Sequence, residues 1–342
     1  MFKLLKNSKG LSRLPARSTG RASLAALLLA ASASCALAQA APANRLYVSS
    51  EKDNRVYVFD TQGQRLSAIE VCKRPRQLSF NKDRSMMYVC CGDSNELGVI
   101  NIASGKMTGT VPLDDSPELF DLSADGKTVY VTVEDDAILG AYDLASKKKL
   151  FEVKVGGQPE GVLVTPDGKH AYVTSEEANM VHYIDLGSKK IVKNIRVGTR
   201  PRRLVLAPGG KELWVSNELS ASVSIIDTDK QSLKDTLKFK LKGIRANDIT
   251  PVGMALSADG KSMWLGLGKA NHVAQVDLAT REVRNTVLVG KRAWGLALHP
   301  DGKTLYVANG MSDDMTLIDT LAGKAIRTVP VGRVPHSVLV QP

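Results

Sequence analysis

The stretch TPDGKHAYVTSEEANMVHYIDL, residues 165–186, contains the pattern that decides the fold. Asp167-Gly168 is a hairpin signal, because glycine supplies the positive φ that a tight turn needs. The short apolar run Tyr172-Val173-Thr174 follows it, and Asp185 lies thirteen residues beyond Tyr172. An aromatic residue followed by an aliphatic one recurs at Tyr47, Tyr88, Tyr130, Trp214, Trp264 and Tyr306. The seven aromatics are spaced by 41, 42, 42, 42, 50 and 42 residues. Thirteen residues after each of these six stand Asp60, Asn101, Asp143, Asp227, Asp277 and Asp319. Seven coincidences at one offset define a repeat, and a period near 42 belongs to an array of small modules.

Each module contains four short runs of β pattern. For the third they read as Glu160–Thr165, Val129–Val133, Ile138–Leu144 and Leu150–Val155. Further Asp-Gly turns lie at Asp125-Gly126, Asp259-Gly260 and Asp301-Gly302, with Gly209-Gly210 standing in once. No apolar periodicity at three- and four-residue steps persists, so helical solenoids are excluded. Four antiparallel strands per module make a propeller blade. The expected fold is all-β: a seven-bladed β-propeller of four-stranded antiparallel blades. The chain enters at Leu46 on a second strand and leaves through Pro335–Gln341 on an inner one. The C-terminal strand should therefore complete the N-terminal blade and close the ring, leaving no open edge.

The 342 residues are 43% hydrophobic and 24% charged, which excludes a disordered or collagen-like chain. The net charge of +11 is partly local, since residues 1–40 hold six basic residues and no acids. The other 40 basic residues exceed the 35 acids by only five, so a nucleic-acid partner is not expected. Residues 1–38 read as a signal peptide: a basic stretch to Arg21, an apolar run Ala22–Ala38, and Ala36-Leu37-Ala38 as a cleavage motif. Residues 39–342 then form the propeller. The expected location is the periplasm, reached by the general export route, with no membrane contact after processing.

The Tyr-Val-Thr/Ser motif, with Pro166-Asp167-Gly168-Lys169 ahead of Tyr172, resembles the bacterial YVTN β-propeller repeat family over the whole mature chain. Arg74-Pro75-Arg76, Pro117-Glu118-Leu119-Phe120, Gln158-Pro159-Glu160-Gly161, Arg200-Pro201-Arg202, the long connection Gly243–Pro251 and Leu288-Val289-Gly290 leading to Trp294 are more specific. Together they resemble the propeller proteins that accompany pyrroloquinoline-quinone (PQQ)-dependent catabolism. That resemblance implies an exported protein in the company of quinoprotein alcohol dehydrogenases. Cys72, where the repeat has glycine, and the turn Asn81-Lys82-Asp83-Arg84 depart from the pattern.

Chain direction sets the candidate site. Inner strands begin on one rim, so Arg76, Glu118, Glu160, Arg202, Val252, Trp294 and His336 crowd the channel mouth, with Arg74, Arg200 and Arg292 two residues earlier. Guanidinium forks suit carboxylates and phosphates, and an indole can stack on a planar ligand. An anionic small molecule such as PQQ, or a partner such as a periplasmic quinoprotein dehydrogenase, would suit these residues. Alternatively, the arginines pair with Glu118, Glu160 and the loop acids Glu51, Glu134, Glu176 and Glu218. The fifth junction is eight residues longer than its siblings and should bring Arg245 over the same mouth.

Gly161, Gly253 and Gly295 mark crowding where inner strands converge. Asp121 either accepts hydrogen bonds from buried backbone or joins Glu118 around an ion. Cys72 faces Cys90-Cys91 across a blade junction. A Cys72–Cys91 disulfide, a Cys72–Cys90 one, free thiols and redox activity all remain open. His170, His182, His272, His299 and His336 scatter without zinc-ligand spacing, and no metal site is expected. The leading expectation is a non-catalytic propeller serving PQQ-dependent alcohol oxidation. The alternative is a lactonase-like hydrolase using Glu118, Glu160, Asp121 and His336, with or without Ca²⁺.

Overall fold

The computed structural model describes residues 44–341. The leader-like residues 1–38 lie outside them. Seven four-stranded antiparallel sheets follow one another around a ring, as the repeat requires. Blade 1 is composite: Pro335–Gln341 is its inner strand, paired with Arg45–Ser50 and continued by Arg55–Asp60 and Arg65–Glu70. Tyr47 donates its hydroxyl to Gln341 Oε1 at 2.9 Å across that closing seam.

Blades 2 to 5 begin at inner strands Pro75–Phe80, Pro117–Leu122, Pro159–Val164 and Pro201–Leu206. Blades 6 and 7 begin at Met254–Leu256 and Ala293–Leu298. The run from Glu160 that was read into the third module is thus the inner strand of blade 4. Blade 3 takes Pro117–Leu122 instead, because inner strands precede the Asp-Gly turn of their own blade. The only helical piece among the described residues is one 3-10 turn, Ala246–Asp248, in the long fifth connection.

Between the blades lie layers of apolar side chains supplied by alternate residues of the middle strands. Val48, Val89, Val131, Val173, Val215 and Val307 are all fully buried beside the repeated aromatics. Outer strands are exposed along most of their length and carry lysine or arginine, which blunts them as edges.

In four of the seven repeats the aromatic-aliphatic pair is followed by a hydroxyl residue, Ser49, Thr132, Thr174 or Ser216, and this side chain ties the strands of the inner ring. Inner strands in six of the seven blades carry a one-residue bulge after their first residue, seen where Pro159 pairs Ser175 but Val162 already pairs Val173. The bulge frees a backbone N–H, which the hydroxyl of the second strand accepts. Gly161 N donates to Thr174 Oγ1 at 2.7 Å, Leu119 N to Thr132 Oγ1 at 3.1 Å and Ser337 N to Ser49 Oγ at 3.0 Å. The same hydroxyls donate onward to the next inner strand. Thr174 reaches Arg202 O at 3.0 Å, Thr132 reaches Glu160 O at 2.6 Å and Ser49 reaches Arg76 O at 2.6 Å.

At Gly161, Gly253 and Gly295 the neighbouring inner strand approaches too closely for a side chain. A Cβ on Gly161 would stand 2.3 Å from Arg202 O, and one on Gly295 2.2 Å from His336 O. Glycine is required there by backbone contact.

Replacing Thr174 by valine keeps the shape but leaves Gly161 N and Arg202 O unpaired in the interior. It should lower the unfolding free energy by about 1–3 kcal/mol in a denaturant titration. The same change at solvent-facing Thr108 should move it by less than about 0.5 kcal/mol.

Candidate functional site at the channel mouth

The bulge turns the second residue of each inner strand toward the channel, and these side chains are buried there despite their charge. Arg76, Glu118, Glu160, Arg202 and His336 are each 5% exposed or less. Burial of that kind requires pairing, and the pairing is continuous. Glu118 meets Arg76 directly and Arg74 at 3.1 Å. Glu160 lies 2.7 Å from Arg203, 3.5 Å from Arg202 and 3.6 Å from Arg76. Arg202 also contacts Glu176, whose other oxygen is 2.8 Å from Arg200. Glu218 receives Arg200 at 3.2 Å, Arg292 at 3.5 Å and Arg202 at 3.6 Å. Glu51 stands 3.6 Å from Arg76 and 3.9 Å from Arg74, and Asp93 is 3.6 Å from Arg74. Six guanidinium groups therefore face six carboxylates.

Protonation follows from that geometry. Burial pushes the Glu160 carboxyl up, but Arg202, Arg76 and Arg203 together hold it well below the usual carboxylate range. Burial raises Glu176, against the pull of Arg202. Burial, with Arg202 and Arg76 crowding it, brings Arg203 down to about 10 despite Glu160. Burial and the charges of Arg76 and Arg203 push His336 well below the ordinary imidazole range, so its ring is neutral at pH 7. Its Nε2 accepts from Arg76 Nε at 3.3 Å and Arg203 Nη2 at 3.2 Å, and Nδ1 faces Ser337 Oγ at 3.3 Å.

Above this network lies a basin of about 350 Å³, bordered by Glu51, Arg74, Arg76, Arg202, Arg292, Trp294, Gly310, Met311, Val334, Pro335 and His336. The repeat explains its position. Four residues after each repeated aromatic the chain places Glu51, Glu134, Glu176 and Glu218, but Gly92, Gly268 and Gly310 in the other blades. Arg74 fills the space at Gly92, whereas a Cβ at Gly310 meets nothing closer than 3.5 Å. Trp294 walls the basin, with the Arg292 guanidinium 4.2 Å and that of Arg202 5.1 Å from its ring centre. The Trp294 Nε1–H is buried without a hydrogen-bond partner.

The structure brings Arg74, Arg76, Glu118, Glu160, Arg200, Arg202, Arg292, Trp294 and His336 together at one mouth. Arg245, expected to lean over it, does not border the basin. It is 85% exposed and pairs with Asp248 at 2.8 Å, because its loop is anchored between blades 5 and 6 by Phe239, Ile244 and Ile249. Asp121 accepts from Val164 N and Leu122 N, each at 2.8 Å, so both oxygens tie backbone. Cys72 and Cys91 are bridged with Cα atoms 5.7 Å apart, and Cys90 is a buried thiol. Among the described residues no three His, Cys, Asp or Glu side chains stand together as a metal cage.

Two members of the site were not singled out from the sequence for these roles: Arg203, and Glu51 as a basin wall. Arg203 occupies a position where other inner strands have Gln77, Leu119, Gly161, Gly253, Gly295 and Ser337, and that contrast is its signal.

The fold and mouth together define a seven-bladed propeller with a charge-paired, partly open channel. A family model described as "Lactonase, 7-bladed beta-propeller" matches residues 187–340. No curated protein matches the chain. Among solved structures, the periplasmic gluconolactonase PpgL of Pseudomonas aeruginosa superposes with a TM-score of 0.74 at 20% identity, over 87% of this chain and 99% of that one. A candidate 6-phosphogluconolactonase from Bacteroides fragilis gives 0.72 at 18% identity, over 86% and 97%. Hydrazine synthase of Kuenenia stuttgartiensis gives 0.72 at 23%, over 81% and 92%. At such identities the likeness shows the fold alone.

Arg202→Met leaves buried Glu160, Glu176 and Glu218 short of a partner. It should destabilise by about 3–5 kcal/mol in denaturant unfolding, against less than about 0.5 kcal/mol for Arg245→Ala. Stability should also fall as pH drops from 7.5 toward 6. The unfolded chain takes up protons near pH 6.5, while His336 and the similarly buried His182 stay neutral in the fold. Each contributes a slope of up to about 1.4 kcal/mol per pH unit below that value, and His336→Gln should remove the larger part, since His336 is the more strongly depressed of the two.

Proposed function

We propose that the protein is a lactonase-like hydrolase acting in the basin at the channel mouth. The observation that carries this reading is a concave site of about 350 Å³ whose charges are already paired, walled by an indole and edged by one half-open carboxylate and two half-open guanidinium groups. A charge-balanced site suits a neutral cyclic ester. It suits PQQ, a polycarboxylate, less well, because the arginines that would hold the quinone also face Glu51, Glu118, Glu160, Glu176 or Glu218. The family match over residues 187–340 and the lactonase-named structural neighbours support the hydrolase over the quinone-associated role. Fold likeness by itself is a weak warrant for activity, so the chemistry has to come from the residues.

Glu51 is the carboxylate that borders the basin, its ion pairs are loose at 3.6 and 3.9 Å, and a hydrolytic water would stand beside it. In this reading it takes a proton from that water as the oxygen attacks the lactone carbonyl carbon. The carbonyl becomes an oxyanion, which Arg292 and Arg74 stabilise from the basin wall. The ring C–O bond then breaks, the proton passes to the departing alkoxide, and a hydroxy acid leaves. The lactone ring lies against the part of Trp294 that borders the basin. Glu118, Glu160 and His336 hold the guanidinium groups in place, since their own polar atoms are consumed by that task. With residues 1–38 acting as an export signal, the substrate would be met outside the cytoplasm.

A panel of sugar and aliphatic lactones, followed by acid release, tests the proposal. Turnover of at least one should exceed spontaneous hydrolysis, and Glu51→Gln should lower kcat by about 100-fold or more, as expected for loss of a general base. Gly310→Glu should fold normally yet abolish turnover by filling the basin. No acceleration over buffer by the wild-type chain would refute the hydrolase. Tight PQQ binding in its place would restore the quinone-associated role.

A further inference from the structure

The rim around the basin is electrically divided, apart from the buried network. Backbone hydrogen bonds place the inter-blade loops and the turns between second and third strands on the same face; Glu134 N, for example, donates to Ser116 O at 2.9 Å and Glu176 N to Gln158 O at 3.0 Å. On blades 2 to 4, residues 92–95, 113–116, 134–137, 155–158 and 176–179 hold eight acids and no lysine or arginine, while the loop entering blade 2, residues 71–74, adds Lys73 and Arg74. On the opposite side of the ring, residues 239–253, 267–271, 289–292 and 310–313 hold six basic residues and two acids, Asp248 and Asp313.

Part of this charge is spent locally. Asp93 and Glu176 face Arg74 and Arg200, Asp114 pairs with Lys149, Arg245 with Asp248, and Arg292 with Glu218. Among the described residues, Asp115, Glu134, Asp135, Asp136 and Glu177 keep no basic partner, and neither do Lys240, Lys242, Lys269 and Lys291 an acidic one. Five carboxylates on one half thus oppose four ammonium groups on the other.

A face of this kind is its own complement. A partner of one sign would be attracted by half of it and repelled by the rest. Turning a second copy over about a two-fold axis in the plane of the face lays each acidic half on the other copy's lysines. Such an isologous contact closes on itself and forms a pair without propagating. We propose that this face is a self-complementary docking surface on which a second copy of the chain seats, acidic loops over lysine loops. The inference does not rest on the hydrolase reading. Contacts made mainly by exposed charges are screened by salt within about 10 Å at 0.1 M, so the pair is a low-salt species.

Sedimentation of the full chain tests this. At about 20 mM salt the mass should be twice that of one chain, and at about 0.5 M it should be that of one chain, following the screening length. A triple variant, Lys240→Glu, Lys242→Glu and Lys269→Glu, makes the face uniformly acidic; Asp135→Lys, Asp136→Lys and Glu177→Lys make it uniformly basic. Each alone should stay single at low salt, and an equal mixture should pair again. Circular dichroism confirms that each variant folds. A wild-type chain that is single at low salt overturns the proposal, as does pairing that survives high salt or either triple change.

Discussion

The hydroxyl of the repeated Ser or Thr is the contact on which the rest of the molecule depends. It accepts the N–H that the inner-strand bulge releases and donates to the next blade's inner carbonyl, as Thr174 does between Gly161 and Arg202. One small side chain thus satisfies two buried backbone groups and sets the distance between blades. That close approach is also why Gly161 and Gly295 cannot carry a Cβ. Where the hydroxyl is missing the chain substitutes other atoms. Cys90 occupies that position in blade 2, and there Gln77 Oε1 accepts from Phe120 N at 2.8 Å across to blade 3. Asp121 adds a second tie from blade 3 to Val164 N of blade 4, beside the hydroxyl of Thr132.

The bulge has a second consequence, since it turns one residue per inner strand into the channel. In blades with a hydrophobic filling that position would merely plug the hole; here it carries Arg76, Glu118, Glu160, Arg202 and His336. A buried ionic plug is seldom more stable than an apolar one. What it provides is a set of guanidinium groups whose orientation is over-determined. Arg202, held between Glu160, Glu176 and Glu218 and against Trp294, has no freedom to turn away from the basin. A site prepared in this way meets a developing charge without reorganising.

The ring was legible in the sequence because its cause is periodic. The aromatic and the Asp or Asn at a fixed offset recur in all seven blades, and the Ser/Thr between them in four, because each reflects a contact that the blades repeat. The identity of the mouth residues was legible for the same reason, chain direction placing Arg76, Glu160 and Arg202 on one rim. Which of them remained available was not, because pairing depends on side-chain reach between blades: Glu160 is met by arginines from blades 2 and 5. Arg245 misled because a long basic loop looks like a flap, while Phe239 and Ile249, which pin it between blades, look like ordinary loop residues. The basin itself came from an absence, Gly310 where four other blades have Glu, and absences acquire meaning only once the neighbours are in place.

The basin also lies across the closing seam. Val334, Pro335 and His336 arrive with the final strand, Glu51 follows the first described strand, and Arg292, Trp294 and Gly310 come from blade 7 and the connection leading into it. No contiguous fragment of the chain holds these groups in place. Pairing of Pro335–Gln341 with Arg45–Ser50 therefore does more than remove an edge. It assembles the candidate site at the moment the ring shuts, so a chain with an open seam would keep most of its blades and lose the basin.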